Sequence, residues 1–428
     1  KMDFPFTKSF VSSLGLIKDA AAKTNLRLKL ISSKKSKAIS KAAKEIWQEK
    51  HHHQFPIDVF QTGSGTSSNM NANEVIGNLA SKFLKEKVDP NDDVNMSQSS
   101  NDVIPTAIKI SAHLDMTKKL LPSLNELIKE INIKSEKIKG TIKTGRTHLM
   151  DAMPIDFSYE LSAWSSQLES SKENLIVLSK KLLELPQGGT AVGSGINAHK
   201  QFSKYFAQEV TKLTGNKYKF ISSNNFYHEL SAQDCSVQLS GELKNLAIIL
   251  TKISNDLRWM NSGPLSGLSE IELKALQPGS SIMPGKINPV IPEAVAMASA
   301  DVIGNDVSIS VAAQSGSFQL NVMLPVIAYN LLKSINLLSG AMNALSKKAI
   351  RTFKVNHKNL EDSLLKNPIL VTALNPIIGY EQAAMIAKKA YKERRPIIEV
   401  AVEETNLSKS RLEKLLDPKK LAKGGIQK

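Results

Sequence analysis

"LSAQDCSVQLSGELKNLAIILTKISNDLRW" occupies residues 230–259, and its apolar residues decide the architecture. Val237, Leu243, Leu246, Ile249, Leu250, Ile253 and Leu257 recur mostly at spacings of three and four, the repeat of one helix face. Gly241 is tolerated within the run. Comparable stretches cover 106–139 (with Pro122 as a kink or break), 155–185, 291–312 and 321–349. All exceed the average globular helix of about 11–12 residues, and helices this long suit a bundle. Many are apolar on more than one face, which predicts burial against other subunits. No strand–helix alternation supports a dinucleotide-binding fold. The fold class is therefore mainly α, with a long central helical bundle.

Around that centre the pattern is shorter and more broken. Residues 1–50 read as helix, a basic break at "SSKKSK", then helix. Residues 54–75 read as irregular, with a helix at about 74–86 and a loop at 89–102. The tail from about 351 reads as a compact, mostly helical unit.

The composition is that of an ordinary globular protein, 41% hydrophobic and 22% charged. No uninterrupted apolar run reaches the roughly 18–20 residues of a membrane span, so no membrane association is expected. The single cysteine, Cys235, excludes an internal disulfide and argues against a Cys-ligated zinc or iron–sulfur site. It reads as an inert core thiol. The formal net charge of +16 invites a nucleic-acid reading. Against it, the lysines are spread over polar helix faces and aromatics are only 5%, so no nucleic-acid partner is expected. "HHH" (51–53) reads as a solvated turn, because consecutive side chains do not converge on a metal.

Polar loops interrupt the helices: "TGSGTSSNMN" (62–71), "SQSSND" (97–102), "GRTHLMDAMP" (145–154) and "GSSIMPGKINP" (279–289). Turns and helix caps account for any one of them; Asn101 or Ser100, for example, suits a cap for a helix at 102. Four in one helical chain point to a site. Their groups donate hydrogen bonds without adding negative charge, which suits a pocket for an anion. "GSSIMPGK" is not a phosphate-binding loop, since the residue after Lys286 is Ile and five residues separate the glycines.

Extended to Glu293, "GSSIMPGKINPVIPE" resembles the signature of the fumarase/aspartase superfamily. "QTGSGTSSNMNANEVIGN", "SQSSND", "GRTHLMDAMP" and "GGTAVGSGIN" (188–197) are similar to class II fumarases in the same order, as is the tail "ILVTALNPIIGYEQAAMIAKKA". The resemblance covers essentially the whole chain and places the family's usual start upstream of Lys1. Aspartate ammonia lyases, the nearest alternative, typically carry Gly-Ala-Gly-Thr at Gly63–Thr66 and Ser-Thr-Asn at Ser99–Asn101. The hydroxyl of Ser64 suits a hydratase, which must hold water. A helical scaffold that retains the loops without activity is the non-enzymatic alternative. Class I fumarases need an iron–sulfur cluster and are excluded by the lone cysteine.

The resemblance implies a three-domain fold: 1–98, a long-helix domain at 99–352, and 353–428. It implies a cytoplasmic citric acid cycle enzyme without metal or other cofactor, acting on a small dicarboxylate. It also implies a homotetramer in which each active site collects loops from several subunits. Ser280 would be the base, with Lys286 stabilising its alkoxide. Lys286 and Asn288 would grip a substrate carboxylate. Ser99, Ser100 and Asn101 would bind substrate with Thr147. Ser64, Thr66, Asn101 and His148 would hold the water or protonate the leaving hydroxyl, and Glu293 would orient His148. Class II fumarases can carry a second anion site at the loop that here contains Asn91 and Asp92. Asp89 stands where a histidine is common, which puts that site in doubt.

Overall fold

The computed structural model describes residues 2–426 of the 428. Helices dominate: α1 (Lys8–Arg27), α2 (Ser33–Trp47), α3 (Thr66–Leu84), α4 (Ser100–Asp115), α5 (Leu121–Lys137), α6 (Phe157–Lys181), α7 (Phe202–Leu213), α8 (Phe226–Ser231), α9 (Asp234–Met260), α10 (Val290–Ala313) and α11 (Leu324–Leu345). The tail adds α12 (His357–Leu365), α13 (Asn375–Ile378), α14 (Tyr380–Glu393), α15 (Ile397–Glu404), α16 (Lys409–Leu415) and α17 (Pro418–Leu421). One antiparallel hairpin, β1 (Ile142–Thr147) and β2 (Met150–Asp156), has strands longer than two residues among those described.

The long helices stand close to their expected bounds, with instructive exceptions. The run at 230–259 is two helices. The backbone is extended at Ala232, and α9 restarts at Asp234, whose carboxylate lies 2.9 Å from His228 Nε2. Pro122 does not break 106–139. A π-helical turn at Met116–Leu120 precedes it. That wider turn absorbs the missing N–H and the ring clash four residues back. The largest departure is α3, which begins at Thr66 rather than near 74. Its Ser- and Asn-rich opening is helical because Asn69 and Asn73 turn their amides to tertiary partners instead of competing for the local backbone.

The chain forms two compact units. The first comprises 2–124, 170–248 and 297–341; the second comprises 125–169, 249–296 and 342–426. In the first, α1 packs on α2, α4 and α7. Ile39, Ile46 and Ile76 are fully buried in its N-terminal core. In the second, Phe157 and Trp164 are fully buried, and Trp164 Nε1 donates to Asp256 at 3.2 Å. Lys143, also buried, lies 2.9 Å from Glu160 and 2.5 Å from Glu270. The tail has its own core of Leu374, Ile386, Val400 and Leu412. There Arg395 and Lys389 of the basic run at 388–395 pair with Glu403 and hold its carboxyl down at about 2.

By length and composition α10 could cross a membrane, a property the sequence reading did not anticipate. Its polar residues argue otherwise. Asp301 lies 2.8 Å from Lys333, and Asp306 lies 2.6 Å from Lys244 and 2.7 Å from Ser240. These contacts fix one side of α10 within the protein. On the other, Met297, Ile303, Val307 and Val311 are exposed.

Candidate active site

The first unit assembles two of the polar loops. Gly63 is required by crowding, since a Cβ there would sit 1.6 Å from the carbonyl oxygen of Val322. This close approach, with Leu324 N donating to Gly63 O at 3.1 Å, anchors the start of the loop. Ser64 Oγ and Thr66 Oγ1 then meet at 2.8 Å. In the second loop Ser99, rather than Ser100 or Asn101, caps α4. Asn101 N donates to Ser99 Oγ and Ser99 N donates to Asp102 Oδ1, a reciprocal box. Ser100 is buried, and its Oγ accepts from Asn69 Nδ2 at 3.0 Å. Asn101 Nδ2 donates to Ala191 O at 2.8 Å, which ties this loop to "GGTAVGSGIN". The N-terminal dipole of α4 favours an anion beside these donors.

Asp102 holds the arrangement from below. It is fully buried and also accepts from Gly188 N and Thr190 N, each at 2.9 Å. Burial pushes its carboxyl up to about 6, against the pull of those N–H groups and of Lys18. Burial likewise pushes the Lys18 ammonium down to about 7, with Asp102 opposing.

The second unit presents the remaining groups. "GRTHLMDAMP" is the turn of the β1–β2 hairpin rather than an irregular loop. Thr147 pairs with Met150, so His148 and Leu149 are the two turn residues. Both have left-handed backbones, with φ of 56° and 60°. Tight hairpin turns want this conformation but normally fill it with Asn-Gly. A leucine there costs roughly 1–2 kcal/mol. His148 is thereby held exposed at the tip, with no side-chain hydrogen bond among the described residues.

Residues 279–288 form a loop closed on itself. Gly279 N donates to Lys286 O at 3.0 Å and Asn288 Nδ2 donates to Gly279 O at 2.7 Å. A Cβ on Gly279 would lie 2.3 Å from Lys286 O, so the closure needs glycine. Inside it, Ser280 Oγ accepts from Met283 N at 3.1 Å and Ile282 N at 3.3 Å. Two N–H groups directed at one hydroxyl oxygen favour its ionised form. Lys286 is exposed and Glu293 lies half-buried in the first turn of α10. Within one chain no hydrogen bond joins Glu293 to His148.

At the possible second anion site, Asn91 N and Asp92 N both donate to Asp89 Oδ1, at 2.9 and 3.1 Å. These N–H groups are occupied by the chain's own carboxylate, which they hold below its ordinary range. In "HHH", His51 Nε2 lies 2.8 Å from Glu45 and His52 Nε2 lies 3.4 Å from Ser12 Oγ. No group of three or more His, Cys, Asp or Glu among the described residues could hold a metal ion. Burial pushes the Cys235 thiol up, away from the reactive thiolate.

Sequence reasoning missed Lys18, Asn69 and Asp102, which support the first group from beneath. "SQSSND" ends in Asp102, and its S-x-x-D spacing was the available signal. Asn69 lay within the quoted loop "TGSGTSSNMN" without being singled out, and Lys18, in the middle of α1, gave no signal.

A long-helix fold carrying donor-rich loops for an anion defines a lyase of the fumarase/aspartase type. The family described as Lyase matches residues 1–304, and the one described as Fumarase C C-terminus matches residues 370–423. The chain is 55% identical to "Fumarate hydratase class II 2" of Pseudomonas aeruginosa over 419 residues, covering 98% of this chain and 91% of that one. It is 43% identical to "Fumarate hydratase class II" of Bacillus subtilis over 418 residues, covering 96% and 90%. The class II fumarase structure from Schistosoma mansoni superposes with a TM-score of 0.95 at 37% identity, covering 98% and 91%. The chain belongs to the class II fumarase family.

Proposed function

We propose that this chain catalyses the reversible hydration of fumarate to (S)-malate, and that Ser280 is the base. The observation that carries the assignment is the pair of backbone N–H groups on Ser280 Oγ. A serine hydroxyl is a weak base in water, and these donors with Lys286 nearby in sequence lower the cost of its alkoxide. In dehydration Ser280 takes the proton from the carbon beside one malate carboxylate. The electron pair moves onto that carboxylate, where Lys286 and Asn288 stabilise the added charge more than they stabilise the ground state. The hydroxyl on the adjacent carbon then leaves as water, protonated from the side of His148, with Ser64, Thr66 and Asn101 holding it. Ser99, Ser100 and Thr147 grip the substrate.

The exposed apolar stripe of α10 and the absence of a His148–Glu293 bond within one chain favour a homotetramer. In it Glu293 orients His148 across a subunit boundary, and each active site is shared. The division into 1–98, 99–352 and 353–428 describes the three regions of that assembly. The enzyme serves the citric acid cycle in the cytoplasm.

Ser64 and Ser100 favour water over ammonia as the group eliminated. Malate is therefore expected to give fumarate readily, and aspartate at less than about a hundredth of the rate, a gap of the size that polar complementarity supplies. Absorbance of fumarate measures both; faster turnover of aspartate would return the assignment to the ammonia lyases. The donors and Lys286 already supply positive potential at the carboxylates, so activity is expected to survive exhaustive EDTA. Loss of activity that a divalent metal restores would reopen the cofactor assignment and "HHH" with it.

A further inference from the structure

Lys18 lies in the middle of α1, outside every polar loop, and is fully buried. Its ammonium donates to Asn95 Oδ1 at 3.0 Å and Gln98 Oε1 at 2.9 Å. Neither partner is a carboxylate, which is unusual for a buried lysine. Nζ donates to both, so these partners turn their oxygens toward it. That choice propagates. With Asn95 Oδ1 facing Lys18, Asn95 Nδ2 faces Gln98 O at 3.2 Å. Asn69 and Asn73 can then offer that oxygen only their own Nδ2 groups, and do so at 3.3 and 3.2 Å. The same Asn69 Nδ2 also donates to Ser100 Oγ at 3.0 Å. Ser100 Oγ is therefore an acceptor from the interior, which leaves its own O–H proton to donate in another direction. The imposed direction has a cost, since Asn69 Oδ1 and Asn73 Oδ1 are buried without partners.

We propose that Lys18 is a positioning residue for hydration, polarising a relay through Asn95 and Asn69 so that Ser100 presents its hydroxyl proton to a substrate carboxylate. This rests on the reading that Ser99–Asn101 bind the dicarboxylate. Without a donor at position 18 the amides are free to reverse, Ser100 can donate inward, and the carboxylate meets a lone pair. The effect falls on binding, because Lys18 touches neither the base nor the leaving hydroxyl.

The test compares Lys18→Met, Asn69→Leu and Ser100→Ala in the assembled enzyme. It measures kcat and KM for malate and inhibition by succinate, an unreactive dicarboxylate. Lys18→Met and Asn69→Leu are each expected to raise KM and the succinate inhibition constant together by about tenfold, the scale of one charge-assisted hydrogen bond, with kcat within about threefold. Adding Lys18→Met to Ser100→Ala is expected to raise KM little further, since both act on one hydroxyl. If Lys18→Met does not fold, Asn69→Leu decides, because it cuts the relay without touching the ammonium. Wild-type KM in the folded relay variants, or a lowered melting temperature alone, overturns the proposal when Ser100→Ala raises KM. An unchanged KM in Ser100→Ala instead overturns the binding role of Ser99–Asn101.

Discussion

Ser280→Ala is expected to lower kcat for malate dehydration by about a thousandfold, within the range that one positioned proton acceptor contributes, and to leave KM within about threefold. The fold tolerates the change because one half-buried hydroxyl is lost from a loop whose closure rests on Gly279, Lys286 and Asn288 rather than on Ser280. The two N–H groups released, at Ile282 and Met283, belong to exposed residues that water can reach. Fumarate absorbance gives the rate, and circular dichroism with the melting temperature gives the fold. A folded Ser280→Ala enzyme retaining a tenth of wild-type kcat would show that the proton leaves by another route.

The second large effect is a recovery. His148→Asn is expected to lower kcat by about a hundredfold or more, from loss of proton transfer to the leaving hydroxyl. The hairpin turn should survive, because asparagine adopts the left-handed backbone more readily than histidine. In a shared site, Ser280 and His148 come from different subunits, so each mutant homotetramer lacks one group in every site. Tetramers refolded from a mixture of the two mutants contain some sites with both groups intact. Activity is expected to rise to a fair fraction of wild type, at least tenfold above either mutant alone. Mixed tetramers, demonstrated by differential tagging, that stay inactive would place both residues in one chain's site.

The architecture was legible where the sequence repeats itself. The apolar spacing at 230–259 gives α9, and the runs at 291–312 and 321–349 give α10 and α11 nearly to their ends. Legibility failed where a partner distant in sequence decides the outcome. The opening of α3 reads as a turn until Asn95 and Ser100 take the amides of Asn73 and Asn69. The hairpin at His148–Leu149 was invisible because neither residue suits its turn. The candidate site was legible as a set of loops through their resemblance to a family, but the atoms beneath them were not. The two N–H groups on Ser280 depend on how the loop closes, and Lys18 reads as one more lysine of a basic chain until its burial is seen. The donation of Asn91 N and Asp92 N to Asp89 likewise follows from backbone geometry.

The apolar stripe on α10 also bears on the chain's life before it has partners. Met297, Ile303, Val307 and Val311 face outward from a helix whose Asp306 is buried and paired with Lys244. A newly synthesised subunit is thus sticky in water along one edge. In the proposed tetramer it leaves that state by meeting another copy, an encounter whose rate grows with the square of subunit concentration. Productive pairing and clumping compete for the same surface during that wait. The yield of soluble enzyme should therefore depend on how fast the chain is made and on which chaperones shield it, even when the stability of the finished assembly is unchanged.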